Sequence, residues 1–260
     1  MKKDQQQDSI SLNKYISETG ICSRREADHW IEAGRVQLNE EVAQKGNRVF
    51  PGDRVLIDGR PLKQKATAVY IAYNKPPGIT STTDLKDKDN IIDAVNYPKR
   101  IFPIGRLDKP SEGLIFLTND GDIVNKILRA GNAHEKEYIV RVDRPITASF
   151  VERMSKGIPI LDTVTQPCFV EKQGQYVFRI ILTQGLNRQI RRMCQYLHYR
   201  VLKLQRVRIM DVRLGKLKKG AWRYLTPKEI QAIQIQIAQS SKTEEASRLP
   251  KSKKNRNKRS

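Results

Sequence analysis

The sequence predicts an α+β protein in two unequal parts. A small module spans residues 9–64, and a larger domain built on a mixed or antiparallel sheet spans residues 65–239. Three observations lead there: paired helical periodicities near the N-terminus, β-branched runs separated by turns from Val69 to about Gln236, and a net charge of +21 concentrated in the larger part. At 260 residues the chain has room for one large domain with a small one beside it. Residues 1–8 are expected to be flexible, and residues 240–260 to be a disordered basic tail without apolar periodicity.

In the first part, Leu12, Tyr15 and Ile16 sit at helical spacing, and Gly20 can end that helix. Ser23-Arg24-Arg25-Glu26 is a capping-box pattern that opens a second helix through Ala27, Trp30 and Ile31, which Gly34 stops. Short alternating pieces follow at Val36/Leu38, Val49 and Val55/Ile57. The turn-formers between them are Asn39-Glu40-Glu41, Pro51-Gly52-Asp53 and Asp58-Gly59. Lys63-Gln64-Lys65-Ala66-Thr67 reads as a linker. In the second part, Leu114–Thr118, Ile139–Val142, Val177–Leu182 and Val201–Leu204 read as strands. Thr226-Pro227-Lys228-Glu229 is a capping box with proline at the first helical position, opening a last helix through Ile230, Ile233 and Ile237.

Charge placement points to a polyanionic partner. Residues 9–64 are nearly neutral at +1, whereas residues 65–239 carry +14. Within the latter, residues 188–223 hold twelve cations against the single Asp211. The tail adds +6, which attracts RNA without discriminating among sequences. Met1–Gln7 has no apolar core, and no run approaches the ~18 apolar residues of a membrane span, so a cytoplasmic protein is expected. Cys22, Cys168 and Cys194 make no disulfide framework, and His29, His134 and His198 show no metal-ligand spacing. With no G-x-G-x-x-G or P-loop pattern, neither metal nor nucleotide cofactor is expected.

The most informative stretch is Phe102-Pro103-Ile104-Gly105-Arg106-Leu107-Asp108-Lys109-Pro110. An acid held between ordered segments with cations on either side suits a carboxylate nucleophile; an aspartate ordering a turn before Pro110 fits these residues as well. The second signal is Gly185–Leu197. Asn187 is the expected N-cap, Ile190, Met193, Cys194 and Leu197 form one face, and Arg188, Arg191, Arg192 and Gln195 form the other.

Taken together, these segments resemble known families. Leu12–Ile16, Ser23–Ala27 and Gly34–Asn39 closely resemble an S4 domain, a small RNA-binding module. That resemblance implies a local RNA-binding face of Lys14, Arg24, Arg25 and Arg35. Gly105-Arg106-Leu107-Asp108, with Lys75-Pro76-Pro77-Gly78-Ile79, His134-Glu135-Lys136-Glu137-Tyr138 and Gly185–Arg191, resembles the RsuA/RluB/RluE/RluF group of pseudouridine synthases from residue 9 to about 236. The His134–Tyr138, Arg129–Asn132 and Asn187–Cys194 details are most similar to the RluF branch, which acts on 23S ribosomal RNA as a pseudouridine-2604 synthase.

The resemblance implies an S4 RNA-binding domain followed by a pseudouridine synthase catalytic domain, acting on structured 23S rRNA without cofactor as a monomer. It implies Asp108 as nucleophile, Arg191 as its ion-pair partner, and Tyr138 as the residue that stacks on the uracil and is a candidate to take the C5 proton. Arg106 would fill the space left by the flipped base or hold the flanking phosphate; Lys109, Arg188, Arg192, Lys203, Arg206 and Arg208 would grip the RNA backbone. Leu107, Gln189, Ile190 and Leu204 are expected in the RNA-contacting site, with Leu204 under the base. Three alternatives stay open: the same chemistry at another rRNA or tRNA uridine, a non-catalytic S4-type ribosome-assembly protein, and a nucleosidase pairing Asp108 with Glu112.

Overall fold

The structure is a computed structural model that describes residues 9–62, 66–128 and 134–238. The linker residues 63–65, the Arg129–Asn132 motif and the basic tail lie outside the described residues. The chain forms two compact units: one runs to Val69 and also takes in residues 97–101 and 119–121, and the other contains the rest.

In the first unit, β1 (Ile10–Ser11) leads into α1 (Leu12–Glu18), which buries Leu12 and Ile16. Gly20, at φ +85°, supplies the left-handed residue after its C-cap. In α2 (Arg24–Glu32) the Ser23 side chain accepts from Glu26 N–H while Glu26 accepts from Ser23 N–H, so the expected capping box is present. The strands are β2 (Val36–Leu38), β3 (Glu41–Val42), β4 (Arg48–Val49), β5 (Val55–Ile57) and β6 (Arg60–Pro61). They form a four-stranded antiparallel sheet in the order β3-β2-β5-β6 and a separate β1–β4 pair. The two sharpest hairpins turn on left-handed pairs, Asn39-Glu40 and Asp58-Gly59, in the turn sites read from the sequence. Leu12, Ile16, Ala27, Ile31, Val36 and Val55 share its core.

The second unit contains β7 (Tyr70–Lys75), α3 (Ile91–Val95), β8 (Phe102–Ile104), β9 (Glu112–Thr118), α4 (Gly121–Leu128) and β10 (Lys136–Val142). It continues with α5 (Ala148–Lys156), β11 (Pro159–Ile160), β12 (Thr163–Val164), β13 (Phe169–Gly174) and β14 (Val177–Leu182). The last elements are α6 (Gln189–Tyr196), β15 (Val201–Ile209), β16 (Val212–Arg213), β17 (Trp222–Tyr224) and α7 (Pro227–Ile237). Its nine-stranded sheet has the order β13-β14-β10-β15-β9-β7-β17, with β8 on β9 and β16 on β15. Every pairing is antiparallel except β15–β9, so the sheet is mixed, as expected.

That parallel junction positions the site. At Gly113 (φ +107°) a Cβ would stand 2.3 Å from the Arg206 carbonyl oxygen, so only glycine lets β9 approach β15 this closely. β9 is buried along its whole length, which explains its continuous apolar run. On one side of the junction Val140, Phe150, Met154, Phe178, Met193 and Leu204 pack together; on the other, Ala72, Leu114, Phe116, Ile127, Ile209 and Ile233 do. The Thr226 capping box opens α7 as read.

Two sequence expectations need correction. β15 runs to Ile209, five residues beyond the expected strand, because its cations find partners within the protein. Asn187 is not the N-cap of α6; that position is Arg188, in the left-handed region at φ +49° with no side-chain cap. The Asn187 carbonyl and side-chain oxygens instead accept from Arg192 Nε and Nη2 at 3.0 and 3.1 Å.

Candidate active site

The loop between β8 and β9 is clamped at several points. Gly105, at φ +80°, turns the chain out of β8. The Ser81 hydroxyl donates to the Leu107 carbonyl at 2.9 Å and accepts from its N–H at 3.1 Å, fixing the residue before Asp108. Ser111 N–H donates to the Asp108 carbonyl at 2.9 Å, closing a four-residue turn around Pro110. The Lys109 carbonyl accepts from Gly78 N–H at 2.8 Å and from Lys75 Nζ at 3.3 Å. Lys75 Nζ also donates to the Pro76 and Ile79 carbonyls, so one buried ammonium ties β7 to the loop. Burial holds that ammonium down at about 8, against the attraction of Asp108.

The Asp108 carboxylate faces a cleft of about 1050 Å³ over the β15–β9 junction. Arg191 Nε lies 3.6 Å from Asp108 Oδ2, and Arg188 Nη1 lies 3.9 Å from the same oxygen. Arg191 is the more enclosed of the two, with its side chain 14% exposed against 48%. Its guanidinium donates to Ser111 Oγ at 3.0 Å and to the Val201 carbonyl at 3.4 Å. Nε is buried and makes no hydrogen bond, so its charge is directed at the carboxylate. Burial pulls the Arg191 guanidinium below its usual range, and Asp108 opposes that shift. Tyr138, on β10 between Ile180 and Arg206, lines the same cleft. The structure therefore brings together Asp108, Arg191 and Tyr138, which were read from three separate motifs.

The residues expected to contact RNA divide. Arg106 is exposed at the cleft and has no partner among the described residues. Arg188 lines the cleft, while Arg192 is half-buried and tied to Asn187. Leu107, Gln189, Ile190 and Leu204 line the cleft as buried side chains. Gln189 accepts from Leu186 N–H, bracing the turn before α6. The expected row of backbone-gripping cations is largely engaged with protein instead. Lys109 pairs with Asp89 at 2.8 Å, Lys203 with Glu112 at 3.0 Å, and Arg208 with Glu137 and Glu135 at 2.7 and 2.9 Å. Arg206 is buried, and its Nε donates to the Leu114 carbonyl.

In the other unit, Arg24 and Arg25 are exposed, and Lys14 lies 3.5 Å from Glu18. Arg35 is held by both Asp58 oxygens over the Trp30 ring. The structure removes the carboxylate pair that a nucleosidase would need. Glu112 is buried in β9 between Lys203 and Lys219, while Asp108 sits in the turn before it. Sequence reading missed Ser81 and gave Ser111, which follows Pro110 in the loop, no role. It noted Lys75 and Lys136 only as parts of motifs, although the two-residue spacing of Lys136 and Tyr138 places them on one strand face.

This fold agrees with known proteins. Residues 69–196 match the RNA pseudouridylate synthase family, and residues 11–55 match the S4 domain. A protein of Escherichia coli, "Dual-specificity RNA pseudouridine synthase RluF", is 59% identical over 224 residues, covering 85% of this chain and 77% of the relative. A Bacillus subtilis protein, "Ribosomal large subunit pseudouridine synthase B", is 31% identical, covering 85% of this chain and 94% of the relative. A solved structure titled "Crystal structure of pseudouridylate synthase" aligns with a TM-score of 0.65 at 28% identity, over 86% of this chain and 99% of that one. The chain belongs to the RNA pseudouridine synthases, in the branch that carries an N-terminal S4 domain. It is an enzyme that isomerises uridine in RNA. No helix among the described residues is long and apolar enough to cross a membrane.

Proposed function

We propose that this enzyme converts a specific uridine of 23S ribosomal RNA to pseudouridine, at the position of the RluF branch, uridine 2604, with Asp108 as nucleophile. The observation that carries the reading is the Asp108 carboxylate, held in a cleft by a clamped turn with Arg191 at 3.6 Å. A base stacked in folded RNA cannot reach that carboxylate, so the nucleotide is extruded, and exposed Arg106 occupies the space it leaves. Tyr138 stacks on the extruded uracil and takes the C5 proton. The N1–C1′ bond breaks, the uracil turns, and C5 joins C1′, so nothing is added to or lost from the RNA. Arg191, 3.6 Å away, orients the carboxylate toward the cleft. Arg188 and Arg192 meet flanking phosphates, with Arg24 and Arg25 of the S4 unit adding contacts. The names of the two relatives, one a large-subunit synthase and one of dual specificity, support rRNA as substrate and leave room for a second RNA.

The test pairs Asp108→Asn with the unaltered enzyme in cells that lack the gene. Mapping of modified uridines shows the 23S site restored by the wild type and absent with the variant. In vitro, tritium release from 5-tritiated uridine falls below detection while RNA affinity stays within about twofold, because loss of a covalent nucleophile removes chemistry and leaves the distributed cationic contacts. Turnover within tenfold of wild type refutes the assignment of Asp108. A 23S rRNA left unmodified by the wild-type enzyme, with a uridine modified in another RNA instead, refutes the substrate.

A further inference from the structure

The floor of the cleft holds a group of donors that the Asp108 loop does not use. Lys136 and Tyr138 lie on the same face of β10, and both line the cleft. Arg206, opposite Tyr138 on β15, is only 4% exposed. Its Nε donates to the Leu114 carbonyl at 2.6 Å, whereas its buried Nη2 has no hydrogen-bond partner. The Gln184 side chain beside them accepts from Gln166 N–H and from Gln189, while its own buried Nε2 is unpartnered. Lys136 Nζ donates to one group, the His134 carbonyl, at 3.1 Å. Among the described residues no carboxylate forms an ion pair with Lys136 or Arg206. Burial and the Arg206 charge together pull the Lys136 ammonium down to about 8.

Two neighbouring cations in a largely dry floor are costly unless an electron-rich group arrives to meet them. The walls indicate which kind of group. Ile104, Phe116, Leu204, Ile209 and Tyr138 enclose this end of the cleft with apolar and aromatic surface, which suits a flat base better than a tetrahedral phosphate. We infer that Lys136 Nζ and Arg206 Nη2 receive the carbonyl oxygens of the flipped uracil and stabilise the negative charge that develops on the ring. This rests on the reading of the cleft as the site where Asp108 acts.

Both routes open to Asp108 place charge on those oxygens. If N1–C1′ breaks first, its electron pair stays on the uracil and spreads over N1, O2 and O4, while an Asp108 oxygen bonds to C1′. If Asp108 adds to C6, the ring pair moves through C5 toward O4, and N1–C1′ breaks afterwards, while the uracil is held through C6. In either case C5 finally bonds to C1′, the Asp108 bond is released, C5 loses its proton and N1 gains one, so atoms and electrons balance. Fixed donors aimed at that developing charge act as an oxyanion hole does.

The experiment uses the full chain with Lys136→Met and Lys136→Arg. Single-turnover rates are measured with enzyme in excess over rRNA substrate, and RNA affinity is measured separately as a function of salt. The Met variant should lose about 100-fold or more in rate, the scale of losing one such donor. Its affinity should stay within about threefold and its salt slope unchanged. The Arg variant should recover part of the rate. Lys136→Gln serves the same comparison should the Met variant not fold. Weakened affinity and a salt slope shallower by about one, with chemistry intact, would make Lys136 a phosphate contact and overturn the inference. A rate within threefold of wild type overturns it as well. A wild-type enzyme that makes pseudouridine, with Asp108→Asn inactive and Lys136→Met active, sinks this inference alone.

Discussion

Arg191→Ala is the perturbation whose consequence the geometry defines best. At 3.6 Å two unit charges attract by about 4–5 kcal/mol at the effective dielectric of ~20 that suits a site near the surface. Asp108 is about one-third exposed, and Arg188 stands 3.9 Å from the same oxygen, so solvent and the second cation recover part of that attraction. The net loss should be about 2–3 kcal/mol, a fall in single-turnover rate of roughly 30- to 150-fold. Arg188→Ala should cost less than about tenfold, because that side chain is half exposed on a left-handed residue and forms the longer, looser pair. Arg192→Ala should stay within about threefold, since its guanidinium is tied to Asn187 and pairs with no carboxylate among the described residues. Arg191→Lys should recover about tenfold: it restores charge without the fork that also reaches Ser111 and Val201. Tritium release with enzyme in excess, alongside RNA affinity for each variant, makes the comparison. Equal losses at the three positions that track affinity would reduce α6 to a phosphate clamp and leave Asp108 with another partner.

Two further outcomes follow from the scaffold. Gly113→Ala places a Cβ 2.3 Å from one backbone oxygen and 2.7 Å from a backbone nitrogen of β15, at φ +107°. The strain should exceed about 3 kcal/mol and lower the melting temperature by roughly 6–12 °C; an unchanged melt would mean the β9–β15 approach is looser than described. Stability should also rise between pH 8 and 9. Lys75 and Lys136 are held near 8 in the folded chain against an ordinary 10.5, so above pH 8 the unfolded chain binds more protons and folding gains, on the order of 1 kcal/mol. Above pH 9 the thiols of Cys22, Cys168 and Cys194, pushed up by desolvation to about 11, 11 and 12, keep protons that the unfolded chain loses, and the trend reverses. Urea melts at half-unit pH steps check both signs, and a flat or falling profile from 8 to 9 refutes the lysine assignment.

The α+β class, the capped helices α2 and α7, the buried run of β9 and the three motifs holding Asp108, Tyr138 and Arg191 were all legible in the sequence by itself. Each is a local matter: caps, periodicity and turn residues act within a few positions of one another. What the cations do was decided only by the tertiary structure. Lys203, Arg206 and Arg208 read as a basic RNA-facing row, yet Glu112, the Leu114 carbonyl and Glu137 engage them from β9 and β10. The N-cap of α6 moved from Asn187 to Arg188 because Asn187 is occupied by Arg192. The clamps at Ser81, Lys75 and Ser111 were invisible because each joins segments far apart in the chain. A charge pattern records which groups need a partner, whereas the strand order places that partner, here across a parallel junction that only Gly113 permits.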